Sequence, residues 1–274
     1  VEKIMKKSMV VFLCLSLFFF SACAGTPITP GTQTTSRTKI TFPLNSNQNL
    51  TGDLSKPEGD GPFPAVIFLP GCTGGQYNLS GWEKILVKEK YVTFGVDSLG
   101  PRGVNNVCSN PEVDKPTSLD RVSDAFAAKH YLETLPFIDK ERMAAIGFSH
   151  GAMTALIMAL YPSASEKPFR EIIAFYPYCF PIDPSKRALS SPLMILIGGN
   201  DDWCPAKLCE AYPEILKGLN HEVVLKVYPG AYHAFDNTAS GLLEFMGHKL
   251  GRDESASADS IVMVKNFLHK YFNK

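Results

Sequence analysis

The stretch Arg142-Met143-Ala144-Ala145-Ile146-Gly147-Phe148-Ser149-His150-Gly151-Ala152-Met153-Thr154-Ala155-Leu156-Ile157-Met158-Ala159-Leu160 decides how this chain is read. Residues 142–146 read as a strand and residues 152–160 as a helix, and between them stands G-x-S-x-G. A strand that passes at once into a helix forces the central residue into a strained backbone; the flanking glycines remove the side chains that would collide there. Ser149 is then presented at a strand's carboxyl end, beside helix amides that favour developing negative charge. Chance alone supplies roughly 0.1 such matches in a chain this long. The flanks and the residues downstream therefore carry the argument.

Downstream, Ser191 to Gly199 is a continuous apolar run of the kind buried in parallel sheets, and it delivers Asn200-Asp201-Asp202-Trp203-Cys204-Pro205 to its carboxyl end. Either aspartate there could orient an imidazole. The next strand, Glu222 to Tyr228, runs into Pro229-Gly230-Ala231-Tyr232-His233-Ala234-Phe235-Asp236, which hangs His233 on a loop just past a strand end. Of the six histidines, only His233 has the placement of a general base. His130, His221, His248 and His269 read as surface or packing residues, and His150 as a backbone N–H donor with an incidental side chain. The order is Ser, acid, His.

A third element is the apolar run Pro64 to Leu69, which breaks into Pro70-Gly71-Cys72-Thr73-Gly74-Gly75. Glycines there let a backbone amide approach a carbonyl oxygen under attack, so the N–H groups of Cys72 and His150 are the expected oxyanion hole.

These pieces, with Ala174-Phe175-Tyr176-Pro177-Tyr178-Cys179, resemble the dienelactone hydrolase-like branch of the α/β-hydrolases over about residues 39 to 272. The resemblance implies an α/β fold with a mostly parallel central sheet, helices on both faces and a Ser149, Asp201, His233 triad. It selects Asp201 over Asp202, because the family's acid stands four residues before the proline of a D-x-x-x-P loop, here Pro205. The enzymes that give the family its name carry a cysteine in the elbow, where this chain has Ser149. That departure points away from dienelactone and towards ordinary ester hydrolysis of small substrates, lactones included. A lipase or polyester hydrolase, a serine peptidase and a non-catalytic surface lipoprotein are the alternatives. Trp203, Tyr232 and Phe235 stand beside triad members as candidate pocket walls, Phe235 equally as core, and Arg102 is a candidate partner for a substrate carboxylate.

Lys3, Lys6 and Lys7 precede a short apolar stretch from Met9 to Phe20, closed by Ser21-Ala22-Cys23. This reads as a signal peptide over residues 1–23 ending like a bacterial lipobox, with Cys23 as the lipidated residue; plain cleavage near Ala22 or Ala24 is the alternative. Residues 24–38, rich in Thr, Pro, Gly and Ser, read as a flexible tether to a domain over 39–274. The expected location is the bacterial cell envelope, with the membrane reached through the lipid, or else the periplasm or medium in soluble form. Of seven cysteines, five fall in the folded part. Cys72 and Cys108 follow strands that should be neighbours in a hydrolase sheet, as do Cys179 and Cys209, which predicts two disulfides and a free Cys204.

Roughly 235 residues remain after the tether, enough for one α/β domain with a full core. Lys plus Arg and Asp plus Glu both count 27, and no basic block lies outside the signal, which argues against nucleic acid as a partner. No C-x-x-C pair or histidine cluster calls for zinc, and no cofactor is expected. Helices are predicted near Trp82–Lys90, Leu119–Leu135, after Ser149, Ala206–Lys217 and Ser257–Phe272. The connections Gly100–Ser118 and His233–Asp253 are the only long ones, with no large lid.

Overall fold

In a computed structural model of the chain, which describes residues 37–74, 79–110, 114–239 and 241–272, the apolar runs assemble into one sheet. Its strands are β1 (Arg37–Asn45), β2 (Gln48–Ser55), β3 (Phe63–Leu69), β4 (Val92–Asp97), β5 (Ile138–Phe148), β6 (Ile172–Phe175), β7 (Leu193–Gly198) and β8 (Val223–Tyr228), in the spatial order β1-β2-β4-β3-β5-β6-β7-β8. From β4 to β8 every neighbouring pair is parallel, whereas β1 and β2 form an antiparallel edge that joins at β4. The central strands are buried on consecutive residues, as in Ala65–Leu69, Met143–Phe148 and Leu193–Gly198. Burial without alternation means both faces are covered, the condition under which parallel sheets occur. The expected signal peptide, Cys23 and nearly all of the expected tether lie outside the described residues.

The helices are α1 (Leu79–Lys88), α2 (Asp120–Glu133), α3 (His150–Leu160), the short α4 (Tyr212–Ile215) and α5 (Glu254–Phe272). The long helix expected over Ala206–Lys217 is instead a 3-10 turn, Ala206–Leu208, followed by α4. Pro213 explains the break, since a proline has no N–H for the carbonyl four residues back and its ring collides with it. That carbonyl, on Cys209, accepts from the Tyr212 N–H at 3.0 Å.

Among the described residues the structure contains two disulfides, Cys72–Cys108 and Cys179–Cys209, and leaves Cys204 as a buried free thiol. The first joins the loops after β3 and β4, the second the loops after β6 and β7; both strand pairs are parallel neighbours. The bridges close loops of sequence separation 36 and 30, and each stabilises by roughly 2–4 kcal/mol in the chain-entropy account.

At the opposite end of the sheet, just before β6, Glu171 is fully buried and neither carboxylate oxygen has a hydrogen-bond partner among the described residues. Burial raises its pKa to about 9, against a small lowering by Arg170. An unfolded glutamate loses its proton near pH 4.5, while the folded one keeps it to about pH 9. Between those values the unfolded state binds fewer protons, so stability falls as pH rises. Glu171→Gln should therefore unfold at higher denaturant concentration at neutral pH, and urea titrations from pH 5 to 9 should show a flatter decline than in the parent protein.

Candidate active site

Ser149 stands between β5 and α3 with φ 53° and ψ −116°, a positive φ that a non-glycine residue rarely adopts. Both motif glycines sit where no side chain fits. A Cβ on Gly147 would lie 2.2 Å from the Gly151 carbonyl oxygen, and one on Gly151 would lie 2.0 Å from that of Leu69. The turn is held by the Ser149 N–H donating to the Phe175 carbonyl at 3.0 Å, and by the Ala152 N–H returning to the Ser149 carbonyl at 2.8 Å. Beneath it, Phe148, Phe175, Trp82 and Phe235 pack ring to ring, with centroids 5.2 to 5.9 Å apart. The strained turn thus rests on an aromatic floor, and Phe235 belongs to that floor rather than to a pocket wall.

The loop after β8 brings the His233 Nε2 to 3.0 Å from the Ser149 Oγ, and the His233 Nδ1 lies 2.8 Å from the Asp201 Oδ2. The other oxygen of Asp201 accepts from the N–H groups of Trp203 at 3.0 Å and Cys204 at 2.7 Å. Adjacent Asp202 points elsewhere: it is exposed, accepts from the Lys249 N–H at 3.2 Å and faces His248 at 3.5 Å. The geometry therefore brings Asp201, not Asp202, to the imidazole. Cys204 also lies close, its sulfur within 4.8 Å of the Asp201 and His233 ligand atoms. Burial first and the Asp201 charge second push its thiol pKa well above the usual value, so it stays protonated. With both nitrogens of His233 engaged, this cluster offers no free imidazole donor to a metal ion.

A second buried carboxyl, Asp236, accepts from the Trp82 Nε1 at 2.7 Å and the Tyr176 hydroxyl at 2.8 Å. Burial raises its pKa, opposed by those two hydrogen bonds. Tyr176 in turn packs edge-on against the His233 ring at 4.6 Å. This support was not read from the sequence, although Asp236 stands only three residues after His233.

The loop after β3 lies against the nucleophile position, since a Cβ on Gly71 would meet the Ser149 Cβ at 3.6 Å. Cys72 and His150 line one cavity together with Ser149. The His150 side chain is not incidental: it is buried, and its Nδ1 lies 2.8 Å from the Arg121 Nη1. The Arg121 Nη2 donates to the Pro70 carbonyl at 2.7 Å. One fully buried guanidinium on α2 thus ties the loop after β3 to the first residue of α3. Desolvation lowers its pKa to about 10, partly offset by Asp124, which leaves it charged at neutral pH.

Three expected pocket residues fare differently. Trp203 lines the site, its ring 5.2 Å from that of His233. Arg102 does not: its guanidinium forms a two-pronged pair with buried Asp124 at 2.9 and 2.7 Å and also donates to the Ser98 carbonyl. Tyr232 also faces away, under the Lys249 ammonium at 5.9 Å, and lines neither cavity at Ser149. The chain after His233, expected as a long connection, holds a hairpin of β9 (Leu242–Phe245) and β10 (His248–Gly251). Leu250 bridges to His233, and the Gly251 N–H donates to the His233 carbonyl at 3.0 Å. His248 stacks on Trp203 at 4.9 Å and 13°, and Phe245 lines the site.

The dienelactone hydrolase family profile matches residues 50–272, and the chain belongs to that family of α/β-hydrolase enzymes. A Synechocystis sp. protein provisionally named a carboxymethylenebutenolidase is 24% identical over 250 residues, 83% of this chain and 94% of its own length. Esterase FrsA of Enterobacter sp. is 27% identical over 134 residues, 47% of this chain and 30% of its own, so the match spans less than a third of that relative. Among solved structures, a dienelactone hydrolase-like promiscuous phosphotriesterase from metagenomic libraries superposes with TM-score 0.71 at 21% identity, covering 86% of this chain and 98% of the other. Pyrococcus horikoshii acylaminoacyl peptidase superposes with TM-score 0.62 at 17% identity, covering 86% of this chain and 42% of its own.

Arg121→Met would leave the His150 nitrogen and the Pro70 carbonyl without their buried donor. The expected loss is about 1–3 kcal/mol, read as a drop in Tm of roughly 3–10 °C for a domain of this size. Calorimetry on the variant checks it.

Proposed function

We propose that the protein hydrolyses carboxylic esters of small substrates by two-step acyl transfer. The observation that carries the reading is His233 held between the Asp201 Oδ2 at 2.8 Å and the Ser149 Oγ at 3.0 Å. Ser149 attacks the ester carbonyl carbon while its proton passes to the His233 Nε2. The carbonyl π electrons move onto oxygen, which takes hydrogen bonds from the backbone N–H groups of Cys72 and His150. As the C–O bond to the alcohol breaks, His233 returns the proton to the departing oxygen and leaves an acyl group on Ser149. Water repeats the sequence, giving the acid and free Ser149. Asp201 keeps the imidazole in the required tautomer and stabilises it while charged. A second reading, action on insoluble esters, draws support from the exposed Leu242, Leu243, Phe245 and Met246 beside the cleft.

A fluorophosphonate probe should add mass to the peptide carrying Ser149, and Ser149→Ala should lose both label and esterase activity. Asp201→Asn should lower kcat by a factor on the order of 10⁴. Asp202→Asn, which removes only an exposed pair, should stay within about fivefold. Steady-state kinetics on an aryl ester decide; the reverse ranking of the two aspartates would move the acid to Asp202.

We also propose export to the cell envelope with Cys23 carrying lipid. Two disulfides support an oxidising compartment, and no helix among the described residues is long and apolar enough to cross a membrane. In cell fractionation the parent protein should sediment with membranes, whereas Cys23→Ser should be released or remain unprocessed. A processed, fully soluble parent protein would refute the anchor.

A further inference from the structure

Two cavities meet at Ser149. One, of about 140 Å³, is lined by Leu79, Tyr176, His233, Phe245 and Leu250 among others. The second, of about 260 Å³, is lined by His150, Cys108, Asn110, Met153, Tyr178 and Cys204. Ser149, Cys72 and Trp203 line both.

On the triad reading above, we infer that the leaving alcohol occupies the smaller cavity, the acyl group the larger one, and that the substrate carries no charge on either side. The reacting carbon has four substituents at the tetrahedral stage. The Ser149 Oγ is one, and the oxyanion faces the amides of Cys72 and His150. The departing oxygen must receive a proton from the His233 Nε2, which restricts it to the cavity that His233 lines. The acyl substituent takes the remaining direction, into the cavity that His233 does not line, between Met153 of α3, Tyr178 and the Cys72–Cys108 bridge.

Charge follows from the lining. No Lys, Arg, Asp or Glu lines either cavity among the described residues. Residues 75–78, 111–113 and 240, which fall outside the description, include no Lys or Arg. The two arginines nearest by sequence to the expected pocket are committed elsewhere, Arg102 to Asp124 and Arg121 to the Pro70 carbonyl and the His150 ring. A substrate carboxylate would lose its hydration with no cation among the described lining residues to receive it, a penalty larger than that of an unpaired neutral polar group. The site therefore selects neutral esters and disfavours lactones or esters that bear a free carboxylate.

The test is a matrix of soluble esters that varies acyl size at fixed alcohol and alcohol size at fixed acyl, each with a carboxylate-bearing counterpart. Parent protein should show kcat/KM about 100-fold or more lower for the carboxylates than for neutral analogues of the same length. Met153→Trp should lower the ratio of butyrate to acetate kcat/KM about tenfold and leave the ratio of butyl to methyl alcohols within twofold, as expected for a loss of volume in one cavity only. Phe245→Ala, at an exposed position, should raise the alcohol ratio and leave the acyl ratio. If Met153→Trp moves the alcohol ratio instead, the assignment of the cavities is overturned. Equal turnover of charged and neutral esters overturns the charge inference. A neutral fluorophosphonate separates these failures from failure of the triad: labelling at Ser149 with the wrong ratios refutes only the cavities, while absence of labelling refutes the reading on which they rest.

Discussion

The close approach of two backbones at the elbow organises the rest of the molecule. The Cα of Gly151 lies so near the Leu69 carbonyl, and that of Gly147 so near the first turn of α3, that neither position has room for a methyl group. The approach draws the carboxyl end of β3 against the start of α3, which sets the loop after β3 and the first amide of α3 on one side of Ser149. Ser149 itself is held at φ 53°, a conformation that costs roughly 1–3 kcal/mol and persists only where its surroundings over-determine it. Here they do: Phe148 before it and Phe175 on the neighbouring strand are both buried among aromatic rings, each such burial contributing about 1.5–3 kcal/mol.

The buried charges above the elbow belong to one network, and it accounts for residues that look available in sequence. Arg121 is fully enclosed and still protonated at neutral pH. A buried cation persists where acceptors and counter-charge are near: the Pro70 carbonyl and the His150 ring face its Nη atoms and Asp124 supplies the charge, while its Nε has no partner among the described residues. Asp124, itself enclosed, is shared with Arg102, whose guanidinium it holds in two hydrogen bonds. Releasing Arg102 to greet a substrate anion would strand Asp124 without its strongest partner. The same network that steadies the loop after β3 thus engages Arg102, the arginine that the sequence offers as a partner for a substrate carboxylate.

What the sequence makes legible is what local rules encode. Glycines around Ser149, an apolar run ending in Asp201 and a strand ending before His233 each announce a strand terminus, and parallel sheets gather such termini at one edge. The disulfide partners follow from the same logic, because neighbouring parallel strands put their next loops side by side. Residues whose meaning lies in a partner far along the chain are not legible. Arg102 stands just past a strand end, but nothing local says that Asp124 on the next helix claims it. The hairpin of β9 and β10 turns at Met246-Gly247, both at positive φ, and methionine is not a residue that signals such a turn. The edge strands β1 and β2 did carry a signal, the alternation of Ile40, Phe42 and Leu44, with Phe42 buried and its two neighbours partly so.

The two walls of the cleft are built with different stiffness. On the acyl side, the Cys72–Cys108 bridge ties two loops covalently, the Val107 N–H donates to the Cys72 carbonyl at 2.9 Å, and Met153 projects from a helix whose neighbours are fully buried. On the other side, the hairpin rests on the Lys249 N–H donating to the Asp202 carboxylate, ring stacking on Trp203 and the bridge from Leu250 to His233, while Leu242 to Gly247 remain exposed. Segments with few buried apolar contacts open at lower free energy than a core does. The hairpin wall can therefore yield to alcohols of different shape at small cost, but its anchor at Leu250 is continuous with the His233 loop. Displacement of the hairpin tip is tolerable to the triad, whereas displacement of β10 would move His233 with it. Tolerance on the alcohol side is bounded by the same strand that positions the base.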